Sequence, residues 1–238
     1  MSVMRRPLNE VVRGWFDLNG PLLGPVFYLF ESVRSYIEER KEAFDARFGT
    51  DTSAPFLGRD QKPATHFYVA TTASLIYETL NALALPPNRF AFVDMGSGKG
   101  RALLVASEFA FAKIVGIELS PHLHRIAEDN IKRYNPASQK CTQFELQCMD
   151  VVDYDYGPEP VVLFLFDPFG RETLQSVVAN LEASLRTNPR DAYVVYIYPQ
   201  FEDVLQGSRV LRKVGEGGPR FRPWSRYVVY AATAGGGK

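Results

Sequence analysis

The sequence predicts an α/β fold: a seven-stranded, mostly parallel sheet with helices on both faces and an antiparallel C-terminal strand. Three observations carry this. From Phe90 onward, short apolar runs alternate with segments whose apolar residues recur every three or four positions. A glycine loop, Gly96-Ser97-Gly98-Lys99-Gly100, follows the first run and opens a helical segment. Near the C-terminus the alternation stops, and strands joined without a crossover helix pair antiparallel.

The elements follow in order. Val26, Phe30, Val33, Ile37 and Phe44 step at helical spacing, so residues 25–47 read as one helix that Gly49 ends. Residues 50–63 are rich in Thr, Asp, Ser, Pro and Gly and read as a loop. A second helix begins near Thr71 or Thr72, either of which can cap it. Leu75, Ile76, Leu80 and Leu83 form its apolar face, and Pro86 and Pro87 stop it. Strands are then expected at 90–93, 113–117, 142–147, 160–166 and 192–198. Helices are expected from Ala102, from Pro121 behind a Ser120 cap, and through Leu174–Leu185. The run 160–166 is apolar throughout, as in a strand buried on both faces. Residues 208–213 and 226–232 complete the seven strands. Residues 1–89 thus read as an N-terminal helical extension or cap, and 90–238 as the core.

Composition excludes whole classes. The chain has 238 residues, 46% hydrophobic and 23% charged, as in a folded domain and unlike a disordered or low-complexity chain. Lys+Arg and Asp+Glu are both 27, which argues against a nucleic-acid binder working by bulk charge. Cys141 and Cys148 match no zinc spacing and read as reduced, which suits a cytoplasmic protein. Charges at Glu10, Arg13 and Asp17 interrupt any signal-like core. The apolar stretch 21–30 is too short to span a bilayer. No His/Cys cluster suggests a metal.

The chemistry concentrates in Val93-Asp94-Met95-Gly96-Ser97-Gly98-Lys99-Gly100-Arg101. Glycines there let the chain turn tightly and let a ligand approach the main chain. The following helix start offers free N–H groups. A Walker A loop needs Gly-Lys-Ser/Thr, and here Gly100 follows Lys99. A dinucleotide G-x-G-x-x-G needs glycine where Arg101 stands. What remains is Asp-x-Gly-x-Gly-x-Gly.

That pattern resembles motif I of the class I S-adenosylmethionine-dependent methyltransferases, whose core is a Rossmann-like sheet. Glu118 ends the second strand twenty residues after Gly98, where the family's acid binds both ribose hydroxyls. Asp150, in Cys148-Met149-Asp150-Val151, matches the family's adenine-binding Asp, with Val151 packing on the ring. Asp167-Pro168-Phe169-Gly170 resembles the family's (Asp/Asn)-Pro-Pro-(Tyr/Phe) motif, with Phe169 in place of the second proline. The upstream Phe44-Asp45-Ala46-Arg47-Phe48-Gly49-Thr50-Asp51-Thr52 is similar to bacterial methyltransferases of this type and names no substrate. The resemblance spans residues 90 to about 232.

It implies S-adenosyl-L-methionine as cofactor, bound by Asp94, Gly96, Ser97, Gly98, Gly100, Arg101, Glu118, Leu119, Asp150, Val151, Asp167, Thr71 and Thr72. Tyr68, Asp167, Pro168 and Phe169 are the candidate catalytic residues. In this class the segment before the first strand folds over the cofactor, which brings in Tyr68, Thr71 and Thr72. Phe169 would stack on the acceptor.

Plainer readings stand beside these. Glu118 can simply cap the helix near Ser120. Lys99 and Arg101 can decorate the loop, though Arg101 could reach the methionine carboxylate. Asp150 can be a solvated turn residue. His122 and His124 read as surface residues, and His66 as an unsupported general base. Two other functions remain open: a non-catalytic S-adenosylmethionine or nucleotide binder, and an NAD-dependent oxidoreductase, which Arg101 counts against.

Charge is unevenly spread. Residues 151–200 carry three basic and seven acidic side chains, and 201–238 seven basic and three acidic. Asp153, Asp155 and Glu159, just before the strand leading to Asp167, tilt the reading towards a cationic acceptor such as a protein or small-molecule amine. Arg209, Arg212, Lys213, Arg220, Arg222 and Arg226 form either a basic patch open to nucleic acid or a solvated hairpin. The acceptor and the oligomeric state are not named by the sequence.

Overall fold

The structure, a computed structural model, describes residues 33, 37, 43–54, 68–218 and 223–233. Readings placed on Val26, Phe30, His66, Arg220, Arg222 and the C-terminal tail fall outside them.

Seven strands form one sheet in the order β3-β2-β1-β4-β5-β7-β6. They are β1 (Ala91–Met95), β2 (Lys113–Glu118), β3 (Phe144–Cys148), β4 (Val161–Phe166), β5 (Ala192–Ile197), β6 (Arg212–Gly217) and β7 (Tyr227–Ala232). The first five run parallel, and β7 pairs antiparallel with both β5 and β6. The helices are α1 (Phe44–Phe48), α2 (Ala73–Ala82), α3 (Arg101–Ala106), α4 (Pro121–Arg133), α5 (Arg171–Thr187) and α6 (Glu202–Gln206).

The strand pleat sorts side chains into two cores. Ala91, Val93, Met95, Val115, Ile117, Leu163 and Leu165 pack on one face, beneath Leu174, Val177, Leu181 and Leu185 of α5. Burying each such α5 side chain contributes about 1.5–3 kcal/mol. Phe92, Ile114, Val162 and Phe164 pack on the other face against α1, α2 and α3. Phe44, Leu75, Ile76 and Leu80 belong to that second core, so the segment before β1 shares its hydrophobic interior with the sheet.

Three expectations change. The helix expected over 25–47 is interrupted, because Ala43 takes φ 50° and α1 starts anew at Phe44; Gly49 ends it as expected, at φ 68°. The sixth strand begins at Arg212 rather than at Ser208. The Ser208 hydroxyl accepts from the backbone of Val210 (3.2 Å) and Leu211 (2.9 Å), and this local turn competes with ladder pairing. Thr72 is the N-cap of α2, but its hydroxyl makes no capping bond. Ser120 does cap α4, accepting from Leu123 N at 3.4 Å, with Pro121 in the first turn.

Candidate active site

Parallel strands place all their C-terminal ends on one edge, so Asp94, Glu118, Asp150 and Asp167 meet along it. The sheet order changes direction on either side of β1, between β2 and β4. Helical crossovers leave in opposite directions there and open a crevice.

The glycine loop is fixed first by backbone. Gly96 N and Ser97 N both donate to Ile117 O at 2.9 Å, and Gly100 N donates to Ser97 O at 2.8 Å. Gly98 has φ 53°, and a Cβ on it would lie 2.3 Å from the Tyr68 ring. A Cβ on Gly96 would lie 2.6 Å from Pro168 Cβ. These two contacts bring the pre-sheet segment and the Asp-Pro-Phe turn against the same loop.

Asp94 and Glu118 lie on the same sheet face, since Asp94 is in register with Gly116, two residues before Glu118. The Glu118 carboxylate accepts from Gly98 N and Ser120 N, both at 2.8 Å. It therefore braces the glycine loop and the start of α4 together, and each oxygen keeps a lone pair for a ligand. Burial raises its pKa against the pull of those N–H groups. Asp94 is more exceptional. It is 5% exposed, and among the described residues no hydrogen bond reaches its carboxylate. Burial, with Glu118 beside it, pushes its pKa up to about 8. A buried acid without a donor is costly unless a ligand supplies one. That orphaned carboxylate fits a group carrying an ammonium or hydroxyls.

Asp167 sits past the end of β4 at φ 39°. Its carboxylate accepts from Tyr196 Oη at 2.7 Å and from the Gln200 amide. Burial, with the Asp167 charge next, raises the Tyr196 pKa, so its hydroxyl stays a donor. Phe169 is buried in the core beneath α5. Asp150 is half-buried and accepts from Val152 N at 3.3 Å, capping a short turn, while Val151 is buried. Leu119 and Thr72 are half-buried and Thr71 is buried.

Lys99 and Arg101 are 3% and 4% exposed, not loop decoration. Lys99 Nζ donates to Asp51 at 2.9 Å. Arg101 donates to Thr52 Oγ1 (2.6 Å), to Thr71 O (3.5 Å) and to Asp45 (3.5 Å). Asp45, Asp51, Thr52 and Asn130 are thus part of the site's framework, and sequence reasoning did not assign them to it. The one available signal was the unusual Phe44–Thr52 stretch.

Of the acidic residues read as favouring a cationic acceptor, Glu159 is misplaced. A parallel β4 starts at the opposite edge of the sheet, so Glu159 just before it lies there too. Glu159 lies 3.8 Å from Lys113 at the start of β2, and its carbonyl accepts from Arg190 at 2.9 Å. Two of the six basic residues, Lys213 and Arg226, are paired: Glu202 and Glu216 each hold both. His122 is exposed, and His124 lies 3.7 Å from Glu128. No group of metal-ligating side chains occurs among the described residues, and no described helix is long and apolar enough to cross a membrane.

Comparison with known proteins gives a family model and several solved structures. Residues 56–153 match the family model of histone methylation protein DOT1. No curated protein sequence matches the chain. Among solved structures, yhhF of Escherichia coli, named for methyltransferase activity, is 16% identical and aligns over 69% of this chain and 88% of its own, with TM-score 0.50. That likeness shows the fold. An RNA methyltransferase of Salinibacter ruber in complex with S-adenosyl-L-homocysteine is 23% identical, covering 70% and 94% of the two chains, with TM-score 0.45. Ribosomal protein L11 methylase of Lactobacillus delbrueckii subsp. bulgaricus is 17% identical over 67% and 77%, with TM-score 0.47. The matched family span runs through Tyr68, the glycine loop, Glu118 and Asp150, the same residues that leave a buried carboxylate waiting for a donor. The family-model match over residues 56–153 supports an S-adenosylmethionine-dependent methyltransferase, with S-adenosyl-L-methionine as cofactor.

Proposed function

We propose that this enzyme transfers the methyl group of S-adenosylmethionine to an amine, a protein lysine or a small-molecule amine. The observation that carries the reading is Asp167. It is buried at the end of β4, its backbone held at φ 39°, and its carboxylate oriented by two neutral donors, Tyr196 and Gln200. A carboxylate can accept up to about four hydrogen bonds, which suits a ligand N–H. The DOT1 family model, described by histone methylation, supports a protein acceptor.

The bound cofactor supplies an activated methyl carbon and a neutral thioether as leaving group, so the protein's task is orientation and exclusion of water. Asp94 holds the cofactor's ammonium, and Glu118 its ribose hydroxyls, with Leu119 beside them. Asp150 and Val151 hold the adenine. Gly96, Ser97, Gly98 and Gly100 let the main chain approach, and Tyr68, Thr71 and Thr72 line the crevice from the preceding segment. Asp167 and the carbonyls of Pro168 and Phe169 accept from the amine's N–H groups and aim its lone pair at the methyl carbon. Transfer then leaves the amine with one proton to lose to solvent. Residues 1–89 act as the cap that shapes the acceptor entrance.

The test is transfer of a radiolabelled methyl group to cell extract, followed by separation into protein, nucleic acid and small molecules. The amine reading expects label in protein lysine or in small amines. Label confined to RNA, or on carboxyl or hydroxyl oxygens, overturns it.

A further inference from the structure

The stretch Asp45–Ser53 forms a dense knot that none of the roles above uses. Its centre is the Asp45 carboxylate. It accepts from Thr50 Oγ1 (2.7 Å), Thr52 N (2.9 Å), Thr52 Oγ1 (2.7 Å), Ser53 N (2.8 Å) and Ser53 Oγ (2.6 Å). Burial works against its ionisation, but the hydroxyls of Ser53, Thr52 and Thr50 and the Arg101 charge outweigh it and hold the pKa low. The knot is therefore an ionised, self-closed loop.

This loop is fastened to the glycine loop at Lys99 and Arg101, directly and through Asn130. The fully buried Asn130 of α4 reads the Asp51 backbone in both directions: Asp51 N donates to Oδ1 at 2.8 Å, and Nδ2 donates to Asp51 O at 2.9 Å. The same Nδ2 donates to Lys99 O at 2.9 Å. Lys99 Nζ returns to the Asp51 carboxylate. The Cα of Gly100 approaches Ala127 on α4 so closely that a Cβ would lie 3.2 Å from it. Arg101 grips Thr52 and Asp45. Tyr68 closes the circle, its hydroxyl donating to Thr52 O at 2.5 Å and its ring lying on Gly98, 5.7 Å from Lys99 Nζ.

A glycine loop gains freedom from its glycines and must lose it to bind a cofactor tightly. We propose that Asp45–Ser53 is a clasp that holds the glycine loop in its binding conformation, with Asn130 and the Lys99–Asp51 pair as positioning residues for cofactor affinity. The two buried cations serve as its fasteners, neutralised by acids from outside the sheet. A buried guanidinium or ammonium whose acid is removed is costly, so releasing the clasp also perturbs residues 99 and 101 directly. This inference rests on the glycine loop being the cofactor cradle.

Asp51→Asn is the clean variant, because the Asp51 side chain is 45% exposed and its backbone bonds to Asn130 survive the change. Two readouts apply. Amide hydrogen exchange of residues 96–100 in the ligand-free protein should rise about threefold to tenfold, with β4 and β5 unchanged. S-adenosylhomocysteine affinity by calorimetry should fall by a similar factor, and the loss should vanish in a Lys99→Gln background, because Asp51 acts through Lys99. Asn130→Asp should act more strongly on both readouts, since it turns two donor bonds into a carboxylate facing carbonyls. Unchanged exchange at 96–100 overturns the clasp. So does an affinity loss that persists undiminished without Lys99, which marks a merely structural role. Asp94→Ala separates the two readings: if it leaves S-adenosylhomocysteine affinity intact, the cradle assignment fails, whereas the exchange measurement still judges the clasp.

Discussion

Asp94→Asn should make the ligand-free protein more stable and the cofactor complex weaker. Asp94 is 5% exposed and stands beside Glu118 with its pKa raised from 3.8 to about 8. The sign follows from proton counting. Between those two values the native state holds a proton that the unfolded chain has released, so stability falls as pH rises through this window. The limiting slope is about 1.4 kcal/mol per pH unit. Below pH 4 both states are protonated and the cost is absent; above pH 8 it is complete. Relaxation and water entry blunt the full slope, and about 1–3 kcal/mol is the working expectation between pH 5 and 8. In a chain of this size that is several degrees in Tm. Asparagine is nearly isosteric and uncharged, so the variant should melt above the wild type at pH 8 and level with it near pH 4. Its affinity for S-adenosylmethionine should drop by about 1–3 kcal/mol, because the charged hydrogen bond is lost. Differential scanning calorimetry across pH, with titration of the cofactor at pH 8, measures both. A stability difference that does not change between pH 4 and pH 8 refutes the reasoning, as does cofactor affinity equal to wild type.

Glu118→Gln keeps the shape but leaves an amide N–H facing Gly98 N or Ser120 N. Stability should fall by about 1–2 kcal/mol and cofactor affinity about tenfold, read by denaturant unfolding and calorimetry. Gly98→Ala places a methyl 2.3 Å from the Tyr68 ring at φ 53°. It should cost more than about 1 kcal/mol of stability and abolish measurable S-adenosylhomocysteine binding. Asp167→Asn keeps an oxygen for Tyr196 and tolerates the positive φ, but its amide NH2 would confront the Gln200 amide. Stability should fall by about 1–2 kcal/mol, as for Glu118→Gln, and cofactor affinity should hold while methyl transfer falls at least tenfold; undiminished transfer removes Asp167 from the acceptor site.

The sheet was legible because its physics is local. Val161–Phe166 is apolar throughout because β4 is covered on both faces. The α5 stripe recurs at helical spacing because only one side of that helix meets the sheet. The glycine loop was legible for a related reason, since positive φ at Gly96, Gly98 and Gly100 leaves a residue signature. The clasp was not. Its bonds join Asp51 to Asn130 across 79 positions, and Arg101 to Asp45 across 56. Side-chain bonds of that range leave no periodicity behind. Lys99 and Arg101 consequently looked like exposed loop charges, although the acids that bury them stand some fifty residues earlier.

The misplaced Glu159 shows a different limit. Proximity in sequence to Asp167 suggested proximity in space, but Glu159 and Asp167 are separated by the whole length of β4. Six strand residues at about 3.3 Å each put roughly 20 Å between the two edges. In a parallel sheet, a charge just before a strand and a charge just after it belong to opposite ends of the molecule. Only the second kind can act on a ligand in the crevice. Sorted this way, the acids that matter all follow their strands: Asp94 at the end of β1, Glu118 closing β2, Asp150 after β3 and Asp167 after β4. Four described non-glycine residues hold positive φ; Ala43 and Ala84 lie before the first strand and the other two past strand ends. Asp167 and Tyr198, past the ends of adjacent strands β4 and β5, both hold positive φ without being glycine, at 39° and 50°. Such residues cost of order 1–3 kcal/mol each and persist where neighbours over-determine them. Here Tyr196, Gln200 and the Arg226 carbonyl do so, the last by accepting from Tyr198 N at 2.8 Å. The strain at Asp167 and Tyr198 lies on the edge that carries Asp94 and Glu118, as the proposed role of Asp167 towards an acceptor expects.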